Sequence, residues 1–388
     1  MAKSMIFLFD GTANSATSRA FTNVYALNQL IAEHREINTN GGISYQTQVT
    51  FYLPGIGTNF TVKEPERGGI IRSVGQIVFG DGLEQLILRA YINLCANFRR
   101  GDEIILIGFS RGSAAARIFS RLVSDFGILR SKTLMFMDRL WNDFLTISAV
   151  KGDIEYFNMI SALHSRLASE NKGERVFHQS DEVSIKFLGV FDTVIGAYDG
   201  KLPSNLDFRD STPASKVENA VHLMSMHDVR ELFELKRFRP VLNSKTNLRE
   251  IWVPGVHSDV GGGYVEDFIS NISLLTMAAL MKQYAGVALD LKPHNEIIDN
   301  IRSKNSNNLI VVNREPFPGP ALSRKDDINI GDELHPLHFY MKNKNVFWKH
   351  DKNTETYRDD YFKLKSNTKI DLVDLISDWL NVNKDSFF

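Results

Sequence analysis

Short apolar runs and longer segments with apolar residues at helical spacing alternate along most of this chain. Met5 to Phe9 (MIFLF), Gln48 to Leu53, Glu103 to Ile107, Val183 to Phe191 and Arg249 to Val256 have the length and continuity of strands buried on both faces. Leu309 to Val312 reads as an edge strand. Helical spacing recurs between them. Thr22 is placed to cap a helix over 22–33, and Leu83, Leu86, Ile87, Ala90, Tyr91 and Leu94 share one side of a helix over 82–99. Further helical patterns cover 132–167, 214–235 and 269–285. Strands alternating with helices predict an α/β fold with a mostly parallel central sheet and helices on both faces. The expected organisation is one domain over 1–388, with a helical cap-like insertion at 131–180 and a C-terminal extension at 332–388.

Composition narrows the class of protein. With 388 residues, 43% hydrophobic content and 26 Phe, the chain can bury a large core. Lys and Arg number 45 against 46 Asp and Glu, so no bulk charge recruits nucleic acid, and no nucleic-acid partner is expected. Cys95 is the single cysteine, which excludes an intrachain disulfide and a cysteine-based zinc site; neither a metal nor a cofactor is expected. The apolar start at Met5 is too short for a signal peptide, and no run reaches transmembrane length. The expectation is a chain cytoplasmic as synthesised, with export only through a signal-independent route.

One stretch carries a chemical signature. The turn Gly101-Asp102 leads into the strand 103–107, which breaks at Gly108-Phe109-Ser110-Arg111-Gly112. A helix then restarts with Ile118, Phe119, Leu122, Val123 and Phe126 on one side. G-F-S-R-G is G-x-S-x-G in a strand–turn–helix context, where the serine is held on a strained elbow and the flanking glycines Gly108 and Gly112 let helix and strand approach. Ser110 is the candidate nucleophile.

Two later strand ends supply partners. Asp192 follows the strand 183–191 and His257 follows 249–256, giving the chain order Ser, Asp, His of α/β-hydrolases. In that reading Ser110 attacks an acyl carbonyl, His257 takes and returns the proton, and Asp192 orients the imidazole. The backbone N–H groups of Arg111 and of Gly11 or Thr12 are the candidate oxyanion hole. Asp259 is the alternative orienting acid, and His222, His227, His335 and His338 compete with His257. Asp10, ending the first strand, is a candidate supporting carboxylate.

The motifs FDGT (Phe9 to Thr12), PGIGT (Pro54 to Thr58), GFSRG (Gly108 to Gly112), GVFDTV (Gly189 to Val194) and PGVHSDVGGGY (Pro254 to Tyr264) occur together and in order. In these the chain resembles the DUF2235 family, which includes the catalytic domains of Tle1-type phospholipase effectors of the type VI secretion system. A further family stretch has its counterpart in His227-Asp228-Val229-Arg230-Glu231. The resemblance implies an α/β-hydrolase fold, the triad Ser110, Asp192 and His257, and hydrolysis of a phospholipid acyl ester of the phospholipase A type. It also implies peripheral membrane contact, and an immunity or inhibitor protein or a secretion component as partner. The residues alone leave three other readings. One is a soluble carboxylesterase or thioesterase with the same triad. Another is a metal-dependent phosphoesterase built on Asp10, Asp192, His257 and Asp259, and the last is a binding module on an inactive hydrolase scaffold.

Overall fold

The structure, a computed structural model, describes residues 2–12, 14, 18, 20–39, 42–57, 81–196, 209–239, 245–306, 310–314, 323–349, 351–358 and 370–387. The connection 60–80 and Thr58 of the PGIGT motif lie outside them. Strand β1 (Ser4–Phe9) shows why the fold starts where it does. Its Met5, Phe7 and Phe9 enter one core while Ile6 and Leu8 enter the other, so every position from Met5 to Phe9 is apolar. The same division occurs in β4 (Glu103–Phe109), with Ile104 and Leu106 on one side and Ile105, Ile107 and Phe109 on the other.

These strands sit in an eight-stranded sheet of order β2-β3-β1-β4-β5-β6-β7-β9. Its other members are β2 (His34–Thr39), β3 (Gly42–Leu53), β5 (Ile185–Phe191), β6 (Val217–Ser225), β7 (Asn247–Val253) and β9 (Glu333–Leu334). Only the β2–β3 pair is antiparallel. The chain leaves β1 toward β3 on one side and crosses to β4 on the other. The carboxyl ends of β1 and β4 therefore form the switch point where such sheets gather ligands.

Helices α1 (Asn23–Leu30) and α7 (Phe268–Ala285) pack on one face, while α2 (Asp81–Asn97) and α3 (Arg111–Arg121) pack on the other. Thr22 caps α1 as its sequence position predicts, accepting from the Tyr25 N–H at 3.2 Å. Helices α4 (Met137–Ser148) and α5 (Asp153–Glu170), within 131–180, bury Leu140, Phe144, Tyr156 and Leu163 in the core shared with α2 and α3. Within 332–388, β9 joins the main sheet. Helices α9 (Pro336–Met341) and α10 (Ile370–Leu380) place Leu337, Met341, Ile376 and Trp379 in the core beneath α7. Strands β8 (Ile310–Val312), β10 (Asn345–Trp348) and β11 (Asn353–Thr356) form a separate three-stranded sheet, and α8 (Leu291–Ser306) flanks α7.

One expectation fails and one is incomplete. Residues 214–235 are not a helix: 217–225 form β6, a central strand between β5 and β7, followed by a 3-10 turn at Glu231–Phe233. A strand buried on both faces needs apolar residues at consecutive positions, and a short run of that kind mimics helical spacing. Val221 and Leu223 accordingly enter one core and Val217 and Ala220 the other, and His222 is fully buried. The second expected strand lies within β3 but starts earlier, at Gly42, and pairs with β2, which the sequence pattern does not announce. Its polar, exposed edge carries no apolar run to announce it.

Candidate active site

The site is built around the junction of β4 and α3. Ser110 adopts φ 59° and ψ −126°, a backbone conformation that a residue with a side chain holds only at a cost of about 1–3 kcal/mol. Close packing enforces it. A Cβ on Gly108 would lie 2.5 Å from the Gly112 carbonyl oxygen, and one on Gly112 would lie 2.2 Å from the Phe9 carbonyl oxygen. The two glycines thus let α3 start directly against β4 and the end of β1. The Ser110 N–H donates to the Phe191 carbonyl at 3.1 Å, and the Ser113 hydroxyl donates to the same oxygen at 2.9 Å. These bonds fix the elbow to the end of β5.

The residue after Phe191 is Asp192, also at positive φ (42°) and fully buried. Its Oδ2 lies 2.6 Å from His257 Nδ1. Oδ2 also accepts from the Ser225 hydroxyl at 3.2 Å, and Oδ1 accepts from the Ser225 N–H at 2.8 Å. Arg324 Nη1 donates to Oδ1 at 2.6 Å. Burial pushes the carboxyl up, but the Arg324 guanidinium and His257 outweigh it, and Asp192 is held well below the usual carboxylate range.

His257 opens α6 (His257–Gly261) and is buried, with its ring 4.6 Å from the Phe109 ring and 4.8 Å from the Phe233 ring. Phe109 precedes Ser110, so the imidazole lies beside the elbow. Asp228 Oδ2 accepts from the His257 N–H at 3.1 Å and pairs with Arg230 at 2.6 Å. Burial lowers the affinity of His257 for a proton and Arg230 adds to this; Asp192 and Asp228 oppose it without reversing the direction. The imidazole is therefore neutral below its ordinary pKa, the state a general base requires.

Around the end of β1, Asp10 Oδ1 accepts from the Gly11 N–H at 2.7 Å and the Thr22 hydroxyl at 2.8 Å. Its Oδ2 accepts from the Tyr52 hydroxyl at 2.6 Å, and burial raises its carboxyl pKa despite these bonds. The Gly11 N–H is thus already engaged by the neighbouring carboxylate. Arg111 Nε donates to the Thr12 hydroxyl at 2.5 Å, bringing Thr12 against the first residue of α3.

Asp259 faces elsewhere. It accepts from the Val256 N–H (3.0 Å), the Asn313 N–H (3.1 Å) and Asn313 Nδ2 (2.8 Å), and burial pushes its carboxyl up to about 6. Of the other histidines, His222 accepts from the Thr193 N–H at 3.1 Å and bonds Glu250, and His227 accepts from the Gly255 N–H at 2.8 Å. His335 caps α9 and His338 bonds the Tyr357 hydroxyl at 2.8 Å. His222 and His227 thereby brace the loops that carry Asp192 and His257. Among the described residues no three His, Cys, Asp or Glu side chains converge as metal ligands. Asp192 and His257 bond each other, while Asp10 and Asp259 each hold a different set of partners. Arg324 and Ser225 were missed by sequence reasoning. Ser225 ends a strand that was read as helix, and Arg324 lies in a stretch without periodicity.

A mostly parallel sheet with a strained serine elbow, and an Asp–His pair at two further strand ends, defines an α/β-hydrolase fold. The chain belongs to the family of Tle1-like type VI secretion phospholipase effectors, whose catalytic-domain model matches residues 3–282. It is 27% identical over 336 residues to the uncharacterised protein YEL023C of Saccharomyces cerevisiae, covering 84% of this chain and 43% of that protein. A crystal structure of an uncharacterised Pseudomonas aeruginosa protein aligns with TM-score 0.41 and 21% identity over 77% of this chain and 48% of its own. The Tle1 effector bound to the VgrG spike of the type VI secretion system aligns with TM-score 0.36 and 19% identity, over 68% and 51%. The chain spans only about half the length of these relatives or less.

Proposed function

We propose that this chain is a serine ester hydrolase that cleaves an acyl ester of phospholipids. Ser110 forms the acyl-enzyme, His257 acts as base and then acid, and Asp192 orients His257. The 2.6 Å contact between Asp192 and His257 beside the strained Ser110 carries the reading. With Nδ1 turned to the carboxylate, Nε2 is the nitrogen left to take the serine proton. The acyl carbonyl then loses its leaving alcohol, protonated by His257, and water attacks the acyl-enzyme in a second half-reaction. The Arg111 N–H at the start of α3 and the Thr12 N–H form the oxyanion hole. Each such donor is worth about 3–4 kcal/mol of transition-state stabilisation.

The phospholipid substrate rests on the family, which is one of phospholipase effectors. Phospholipase A chemistry, peripheral contact with a lipid surface and delivery through a secretion component are parts of the same proposal, as is an inhibitor protein in the producing cell. No helix among the described residues is long and apolar enough to cross a membrane. The test is lipid mass spectrometry after incubating phospholipid vesicles with wild type and Ser110→Ala. Free fatty acid and lysophospholipid should appear with wild type only. Equal release by both proteins overturns the proposal. Turnover of short soluble esters without vesicle turnover would transfer it to a soluble carboxylesterase.

A further inference from the structure

Arg324 is 4% exposed and belongs to none of the strand ends that carry the triad; it starts a 3-10 turn at Arg324–Asp327. Its Nη1 donates to Asp192 Oδ1 at 2.6 Å, to the Ser225 carbonyl at 3.1 Å and to the Ser225 hydroxyl at 2.5 Å. Its Nη2 donates to the Phe233 carbonyl at 2.5 Å. One planar guanidinium therefore bridges the carboxylate, the end of β6 and the segment whose ring packs edge-on against His257.

A carboxylate excluded from water tends to take up a proton, and a neutral Asp192 would no longer favour the imidazolium that forms during acyl transfer. A guanidinium stays charged in such a setting and offers a planar fork of donors that can hold two partners at once. We propose that Arg324 is a positioning residue of this site, clamping the Asp192 carboxylate toward His257 and tying the Phe233 wall to the same anchor. The proposal rests on the assignment of Ser110, His257 and Asp192 as nucleophile, base and acid.

The charged groups facing the pair fix the sign of the effect. His257 meets Asp192, Asp228 and Arg230, while Asp192 meets Arg324 and His257, with His222 and Arg230 further off. Removing the Arg324 charge strengthens the hold of both Asp192 and His257 on a proton. While Asp192 stays ionised, loss of the neighbouring positive charge leaves the imidazolium better stabilised, and the base switches off at higher pH.

The test is the rate at which a fluorophosphonate labels Ser110 across the acid range, in wild type, Arg324→Gln and Arg324→Lys. Thermal melts confirm that each variant is folded. Glutamine keeps an N–H donor without the charge; lysine keeps the charge without the two-point bridge. Arg324→Gln should label at least about tenfold more slowly, out of the 10²–10⁴-fold that an oriented base contributes. Its acid limb should move up by about half a pH unit or more. Arg324→Lys should be slowed with its limb near that of wild type. A folded Arg324→Gln with an unshifted limb overturns the proposal. Where that variant does not fold, Arg324→Lys decides, and labelling at the full wild-type rate overturns it. Absence of Ser110 labelling in wild type defeats the underlying assignment instead, a distinguishable result.

Discussion

Asp192, Ser110 and Arg324 sit close together yet stand in different relations to the sequence. Ser110 was legible because its flanking glycines and the change from strand to helix state a geometry, and φ 59° is that geometry realised. Asp192 stands out in the sequence as the polar residue ending an apolar run; its carboxylate contacts His257 Nδ1, where that of Asp259 holds Asn313. Arg324 was not legible, because its partners are distant in sequence and its own stretch has no periodicity. Replacing Asp192 by Asn would favour the wrong tautomer of His257, and kcat should fall by about 10⁴-fold with KM little changed, measured on vesicles or a soluble ester. Because burial lowers the proton affinity of His257, the acid limb of kcat/KM should lie below pH 6.5, the ordinary imidazole value; a limb above it would contradict a buried neutral base.

At the scale of elements, the first turn of α3 lies against the end of β1, and its closeness depends on Gly112. A methyl group there meets the Phe9 and Asp10 carbonyl oxygens at 2.2 and 2.5 Å, backbone atoms that cannot rotate away. Gly112→Ala should therefore push α3 from the sheet and lower stability by about 1–3 kcal/mol, read by urea unfolding, with slowed Ser110 labelling. The elements read well from the sequence were those with long periodic faces or runs bounded by turns, such as α2, α7, β1 and β4. Strand β6 was misread since a strand flanked by β5 and β7 and covered on both faces shows no alternation. Strands β2 and β11 escaped because short edge strands carry polar residues.

For the whole molecule, buried carboxylates couple folding to pH with opposite signs. The folded pKa of Asp192 is depressed, so its contribution is present above the ordinary value of 3.8 and is lost as pH falls through the lower folded value. The carboxyl of Asp259 is raised to about 6, so the folded state favours its protonated form; that contribution is present below 3.8 and is lost as pH rises through about 6. Urea unfolding of wild type and Asp259→Asn should show the difference in stability between them changing across this window, with wild type losing ground as pH rises. A pH-independent difference would show that Asp259 does not ionise in that range. The division of the core between the two faces of one sheet was legible from β1 and β4 alone. The packing of α9 and α10 beneath α7 was not, since their apolar residues lie in a stretch with many charges.

The central claim is that Ser110 is an activated nucleophile. Intact-protein and peptide mass spectrometry after fluorophosphonate treatment of the full chain tests it most directly. One phosphonyl adduct on the peptide containing Ser110, absent from Ser110→Ala and strongly slowed in His257→Ala, is the predicted result. An unmodified Ser110 in folded wild-type protein, or an adduct formed equally fast without His257, would contradict it.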